Sequence, residues 1–355
     1  MKTVAEHQIV DIEKTPLSSI QSEVANSDLF SLGWLNEQSD ELLLSNIMPN
    51  SVRFAKFTWL KDSAVNHPKL VLFGALSWDS LCQFQCLLKA MHLDIKSCRL
   101  VKPLESLTGA IHFYLSESLS AECKLQVITW AESRGLECCY LDNAPSVDKP
   151  GLLVMDMDST AIEIECIDEI AKLAGVGDEV AKVTAAAMRG ELDFAESLRA
   201  RVKTLTGAPV SVIDEVADNL PLMPGLENLV KHLQSYGWKI VIASGGFTYM
   251  TDVLKSKLNL DRTVANQLEV EGGTLTGRVL GDIVDALVKA DTVKTLAQEY
   301  DIPLSQTIAM GDGANDLIMM DAANLGVAFH AKPLVRQKAD VSVRAGGLDQ
   351  LLYLI

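Results

Sequence analysis

Four short segments of this chain gather residue types that can do chemistry together. The first is Met155-Asp156-Met157-Asp158-Ser159-Thr160, where two carboxylates two residues apart follow an apolar run. In extended backbone, residues i and i+2 project to one face. Both acids therefore meet at the carboxyl end of a strand, where open α/β sheets bind ligands. Two like charges that close call for a cation or a shared proton, and a hard divalent ion such as Mg²⁺ prefers oxygen ligands. An acidic turn capping the strand is the competing reading. The second segment is Gly311-Asp312-Gly313-Ala314-Asn315-Asp316, again behind an apolar run, so its acids fall at the same sheet edge. The third, Ala243-Ser244-Gly245-Gly246-Phe247, ends another strand. A hydroxyl and the N–H groups of a glycine turn before a helix can hold a phosphate. The fourth is Lys289, early in a helical stretch that runs to Tyr300. A lone helix lysine is usually a solvated charge; this one gains weight only as the missing cation for a phosphoryl group among so many acids.

These segments need a frame. Apolar runs at 152–156, 239–244, 263–266, 307–312, 326–329 and 341–343 alternate with helical patterns. That alternation predicts a Rossmann-like, mainly parallel sheet with helices on both faces. Between the first two runs lies a helical stretch from about 167 to 222, whereas a direct crossover needs only about a dozen residues. The surplus predicts an inserted helical subdomain. A β-hairpin is expected over 269–285 around Gly272-Gly273. The turn-rich segment 142–150, DNAPSVDKP, marks a seam. Before it, from Lys69, the order is strand, helix, strand, strand, helix, strand, the ferredoxin-like pattern. The first 65 residues are weakly periodic and predict little.

Composition sets the outer bounds. The chain has 355 residues, 48% hydrophobic and 22% charged, with a net charge of −16. Domains cluster near about 100–150 residues, so two are expected. Such an acidic chain repels nucleic-acid backbones and anionic membranes. No apolar run approaches the roughly 20 residues of a membrane span, and the first residues, MKTVAEHQIVDIEK, show no signal-peptide pattern. The seven cysteines include no CxxC pair and no histidine at zinc spacing. Reduced thiols in a cytoplasmic protein are the simplest expectation.

Taken in order, the four segments resemble the motifs of the haloacid dehalogenase-like phosphatases: Asp156, Asp158 and Thr160 as DxDxT, then Ser244, Lys289, and the acidic group Asp312, Asn315 and Asp316. IECIDEIAKLAG, MRGELDF, SLRARV, ASGGF and GDGANDL narrow the resemblance to the branch that hydrolyses O-phosphoserine, the last step of serine biosynthesis. The match spans about 150 to 345. It implies an α/β phosphatase domain over 147–355 with a helical cap at about 165–222. Residues 1–146 resemble, less specifically, an α+β ferredoxin-like (ACT-like) regulatory or scaffolding domain. By resemblance, Asp156 is the nucleophile that forms an aspartyl-phosphate, and Asp158 is the acid and then the base. Mg²⁺ is held by Asp156, the backbone carbonyl of Asp158, and Asp312, with Asp316 in support. Ser244, Gly245, Lys289 and Asn315 contact phosphate. Glu165 and Arg201 grip the amine and carboxylate of the serine, while Met188 and Phe194 cover the site. The implied partner is a small phosphomonoester, with a homodimer as an option.

Other classes fit less well. A phospho-accepting receiver needs no leaving-group acid such as Asp158, and a cap would hide its aspartate. A cation-pumping ATPase needs membrane spans. A purely amino-acid-binding regulator would not need the intact acidic set. A phosphatase or phosphotransferase for another small phosphomonoester is the alternative within the same chemistry.

Overall fold

A computed structural model of the chain describes residues 9–10, 54–55, 67–76, 78–93 and 95–355. Most of residues 1–66, the start of the expected N-terminal domain, lie outside the described residues. The chain divides into two compact units between Asn143 and Ala144.

In the first unit, β1 (Lys69–Gly74), α1 (Trp78–Ala90), β2 (Ile95–Val101), β3 (Ala110–Leu115), α2 (Ala121–Glu132) and β4 (Leu136–Leu141) follow one another. The four strands form an antiparallel sheet in the order β2-β3-β1-β4, the ferredoxin-like arrangement. Alternate residues Leu70 and Leu72, Ile111 and Phe113, and Cys138 and Tyr140 share one core with Phe84, Leu88 and Val127 of the helices. Every second residue of each strand belongs to this core because successive side chains point to opposite faces; the intervening positions are buried as well.

The second unit carries seven strands: β5 (Leu152–Met155), β6 (Lys239–Phe247), β7 (Arg262–Glu271), β8 (Thr274–Leu280), β9 (Thr307–Gly311), β10 (Leu325–Phe329) and β11 (Val341–Val343). Their order is β8-β7-β6-β5-β9-β10-β11. Every pairing is parallel except β7 with β8, which form the hairpin around Gly272-Gly273. Strands β5 and β9 are buried at every position, which explains their unbroken apolar runs. Strands β6 to β8 extend the sheet from one side of β5 and β9 to β11 from the other, so the crevice beyond the ends of β5, β6 and β9 is the switch point where ligands bind.

Four helices fill the insertion: α3 (Cys166–Leu173), α4 (Gly177–Met188), α5 (Phe194–Thr204) and α6 (Ser211–Asp218). Its entry and exit lie side by side. Ile162 bridges Leu222 antiparallel, and Glu163 N donates to Pro221 O at 3.0 Å. A third attachment joins the insertion to the hairpin: Gly207 N donates to Leu275 O and Leu275 N to Ala208 O, both at 2.8 Å.

The turn-rich segment at the seam is fastened to the second unit from 146 onward. The side chain of Gln306 accepts from Ser146 N at 2.7 Å and donates to Ser146 O at 2.9 Å and Lys149 O at 3.2 Å. Among the described residues no helix is long and apolar enough to cross a membrane. Cys86, Cys123, Cys138 and Cys166 are free thiols.

Candidate active site

Strand β5 ends at Met155, and Asp156 continues in extended backbone with φ −68° and ψ 165°. The chain then turns sharply, with Ser159 in the left-handed region at φ 56°, a conformation that costs a non-glycine residue on the order of 1 kcal/mol. The turn aims Asp156 and Asp158 into one pocket, which Glu165, Phe194, Arg201, Ser244, Gly245, Lys289, Asp312 and Asn315 also line. Four stretches distant in sequence thus converge at the carboxyl ends of β5, β6 and β9.

Lys289 sits on α7 (Ala286–Glu299), whose first turn is capped by Asp285 Oδ1 accepting from Leu287 N and Val288 N. The amine is 1% exposed and lies 2.7 Å from Asp156 Oδ1 and 2.8 Å from Asp316 Oδ1. Burial alone would lower its pKa, but the two carboxylates outweigh that and raise it, so the ammonium is retained. Asp316 is fully buried and also accepts from Gly313 N at 3.1 Å, which shapes the loop after β9.

Carboxylate oxygens of Asp156, Asp312 and Asp316 lie within 4.8 Å of one another. Burial first, then the nearby Asp156 and Glu165, push Asp312 up to about 6. This crowding of hard oxygen donors fits a divalent cation, which would relieve it.

Asp158 is held differently. Its Oδ2 accepts from Cys166 N at 3.3 Å, at the start of α3, and its buried Oδ1 has no partner in the protein. Burial, with Glu165 and Asp156 adding repulsion, raises its pKa to about 8. At neutral pH this carboxyl holds its proton.

The opposite wall comes from the insertion. Asp193 and Glu196 form a reciprocal capping box that starts α5. Phe194, Leu198 and Arg201, at positions i, i+4 and i+7, then share one helix face and all line the pocket. Arg201 Nε is buried without a hydrogen-bond partner. Glu165 accepts from Ser159 Oγ at 2.8 Å. The pocket therefore has a cation and an anion unoccupied by each other at its insertion end.

Of the residues expected here, Met188 stands apart: it ends α4, is 76% exposed, and does not line the pocket. Thr160 is fully buried beside the turn, and its Oγ1 has no partner in the protein. Sequence reasoning missed Leu198 and Ile167 in the lining. It also missed Ser159 as the partner of Glu165, although a serine between two motif acids was visible.

Residues 151–324 match the model of the haloacid dehalogenase-like hydrolases. The chain is 56% identical over 220 residues to the phosphoserine phosphatase of Vibrio cholerae, spanning 62% of this chain and 67% of that one. Against the phosphoserine phosphatase of Haemophilus influenzae it is 59% identical over 220 residues, 62% of this chain and 70% of the relative. The crystal structure of an unliganded probable phosphoserine phosphatase from Vibrio cholerae superposes with a TM-score of 0.69 and 45% identity, covering 82% of this chain and 87% of that one. The chain belongs to the haloacid dehalogenase-like hydrolase family. Within it, the relatives compared above are phosphoserine phosphatases or a probable one.

Proposed function

We propose that the chain is a Mg²⁺-dependent phosphoserine phosphatase that hydrolyses O-phospho-L-serine to L-serine and phosphate. One observation carries the reading: a single pocket holds phosphate-type groups at one end, and a separate carboxylate and guanidinium at the other. Glu165 suits an ammonium and Arg201 a carboxylate, and an amino acid presents both from one carbon. The buried Arg201 Nε without a partner is the donor such a ligand would use.

Asp156 Oδ1 already accepts from Met157 N at 2.8 Å and meets Lys289. Oδ2 is then the oxygen that attacks phosphorus, forming an aspartyl-phosphate as the serine oxygen leaves. Asp158, protonated at neutral pH, gives its proton to that oxygen. Now ionised, it takes a proton from water as the water attacks the phosphoryl group. Phosphate departs, and Asp156 is regenerated. Ser244, Gly245, Lys289 and Asn315 hold the phosphoryl oxygens. Asp156, Asp312 and the backbone carbonyl of Asp158 would hold Mg²⁺, with Asp316 in support; when bound, the ion offsets negative charge on the phosphoryl group. Phe194 covers the pocket.

The test is phosphate release with Mg²⁺ from a panel containing O-phospho-L-serine, O-phospho-L-threonine, a sugar phosphate and an aryl phosphate. The reading expects phosphoserine to lead in kcat/KM. A leading sugar phosphate would replace the substrate while leaving the phosphatase chemistry in place.

A further inference from the structure

Strand β6 does not pair with β7 in continuous register. Ala243 is opposite Val264 and Phe247 is opposite Asn266, so four steps along β6 are matched by two along β7. The two extra residues fall within Ser244-Gly245-Gly246, which lines the pocket. A bulge leaves ladder groups without strand partners, and such groups must be satisfied some other way.

Asn266 provides the replacement. It is 1% exposed, and its side chain makes two directional bonds. Nδ2 donates to Gly245 O at 2.8 Å, and Oδ1 accepts from Val284 N at 2.9 Å. This donor–acceptor pattern fixes the amide orientation. A trans peptide points its carbonyl and its N–H in opposite directions. Anchoring the Gly245 carbonyl on Asn266 therefore sends the Gly246 N–H the other way, where it donates to Ser244 Oγ at 2.9 Å. With an acceptor site of that hydroxyl used, its own proton is left to donate into the pocket. The bond to Val284 fixes the chain one residue before Asp285, the cap of the helix that carries Lys289.

We propose that Asn266 is a positioning residue for phosphate binding: it sets the direction of the Ser244 hydroxyl through the Gly245–Gly246 peptide and ties that turn to the helix bearing Lys289. This rests on the reading of Ser244 as a phosphate ligand.

The test is Asn266→Asp in the full-length enzyme. This nearly isosteric change keeps the acceptor for Val284 N but sets an oxygen against the Gly245 carbonyl. The readouts are inhibition constants for inorganic phosphate and for L-serine, kinetics on phosphoserine, and Tm. Loss of one buried hydrogen bond should weaken phosphate by about tenfold, with L-serine changed less than about twofold. Phosphate affinity should recover at acidic pH, relative to wild type, as the introduced carboxyl gains a proton and can donate. Unchanged phosphate affinity, or equal weakening of phosphate and L-serine, would overturn the proposal. If Asn266→Asp does not fold, Asn266→Ser carries the same phosphate-against-serine comparison, with the same expected and contrary results. Ser244→Ala separates the two layers. If it leaves phosphate affinity intact, the reading of the site falls and the proposal falls with it. If it weakens phosphate while Asn266→Asp does not, only the positioning role is lost.

Discussion

The ring of Phe194 stands so close over Gly245 that a β-carbon on the glycine would lie 2.6 Å from the ring's Cζ. Phe194 begins a helix of the insertion and Gly245 belongs to the core sheet, so a missing side chain on one lets the other seat. Gly245→Ala should push the insertion off the pocket and lower kcat/KM for phosphoserine by about tenfold, as overpacking of a close contact does. In that background Phe194→Leu should restore part of the loss. A double-mutant cycle checks this; strictly additive losses would show that the two residues are not coupled.

Asp156→Asn should abolish turnover and covalent phosphate incorporation while leaving Tm near wild type. Radiolabelled phosphoserine with acid quench measures incorporation directly. Label retained on a folded variant would move the nucleophile elsewhere. Asp158→Asn should instead slow turnover by about 10²–10⁴-fold, the usual weight of an acid–base group, and the loss should be least for aryl phosphates, whose leaving groups need no proton.

Metal removal should reverse the ordinary effect of pH on this site. Asp312 is raised to about 6 and Asp158 to about 8, against an unfolded value of about 3.9. The folded state therefore binds more protons than the unfolded state between those values, and stability from these groups is full below about pH 4 and lost as pH rises toward 8. In chelator, wild type should lose more Tm than Asp158→Asn between pH 5 and pH 8, and Mg²⁺ should restore the wild type most at pH 8. Parallel pH profiles of the two proteins would contradict the raised carboxyl.

Arg201→Ala should weaken phosphoserine by about 1.5–3 kcal/mol in kcat/KM, the range of a charge-assisted hydrogen bond. An aryl phosphate has no carboxylate for the guanidinium and should lose far less. Equal losses on both substrates would place Arg201 in packing rather than recognition.

A chain starting at Ala144 should keep phosphatase activity, because every residue proposed for chemistry lies in the second compact unit. A start after Pro150 should be less stable, since it removes the partners of Gln306 and the Val147 carbonyl that accepts from Trp238 Nε1 at 3.2 Å. Thermal unfolding of the two truncations compares them. A folded but inactive chain from Ala144 would show that the first unit contributes to the site.

Much of this architecture was legible because burial writes itself into short apolar runs. LLVM, KIVIA and TIAM stood out as strands since both of their sheet faces are covered. Strand β7 was read as four residues but runs from Arg262 to Glu271; its distal half forms a hairpin with mixed exposure, and polar residues hide it. Asp156, Asp158 and Asp312 were legible from their spacing behind apolar runs, whereas Glu165 came only from the family resemblance. The burial of Lys289 was not, because a lysine near a helix start looks the same whether it faces water or two carboxylates. The hold of Gln306 on 146–150 spans about 160 positions, and no local pattern reports a contact at that range. Met188 illustrates the converse: a motif match placed it over the site, whereas the end of its helix leaves it in solvent.

The paired entry and exit of the insertion, Ile162 beside Leu222, also bear on chain entropy. Once two ends are zipped together, the cost of whatever lies between them grows only with the logarithm of its length, roughly 0.6 kcal/mol per doubling. The sheet is therefore nearly indifferent to the size of its lid. A shorter or longer cassette grafted between those two residues would leave the sheet standing and exchange the walls that choose what the phosphate is attached to, provided it kept the Cys166 N–H that Asp158 accepts from and the attachment to the hairpin.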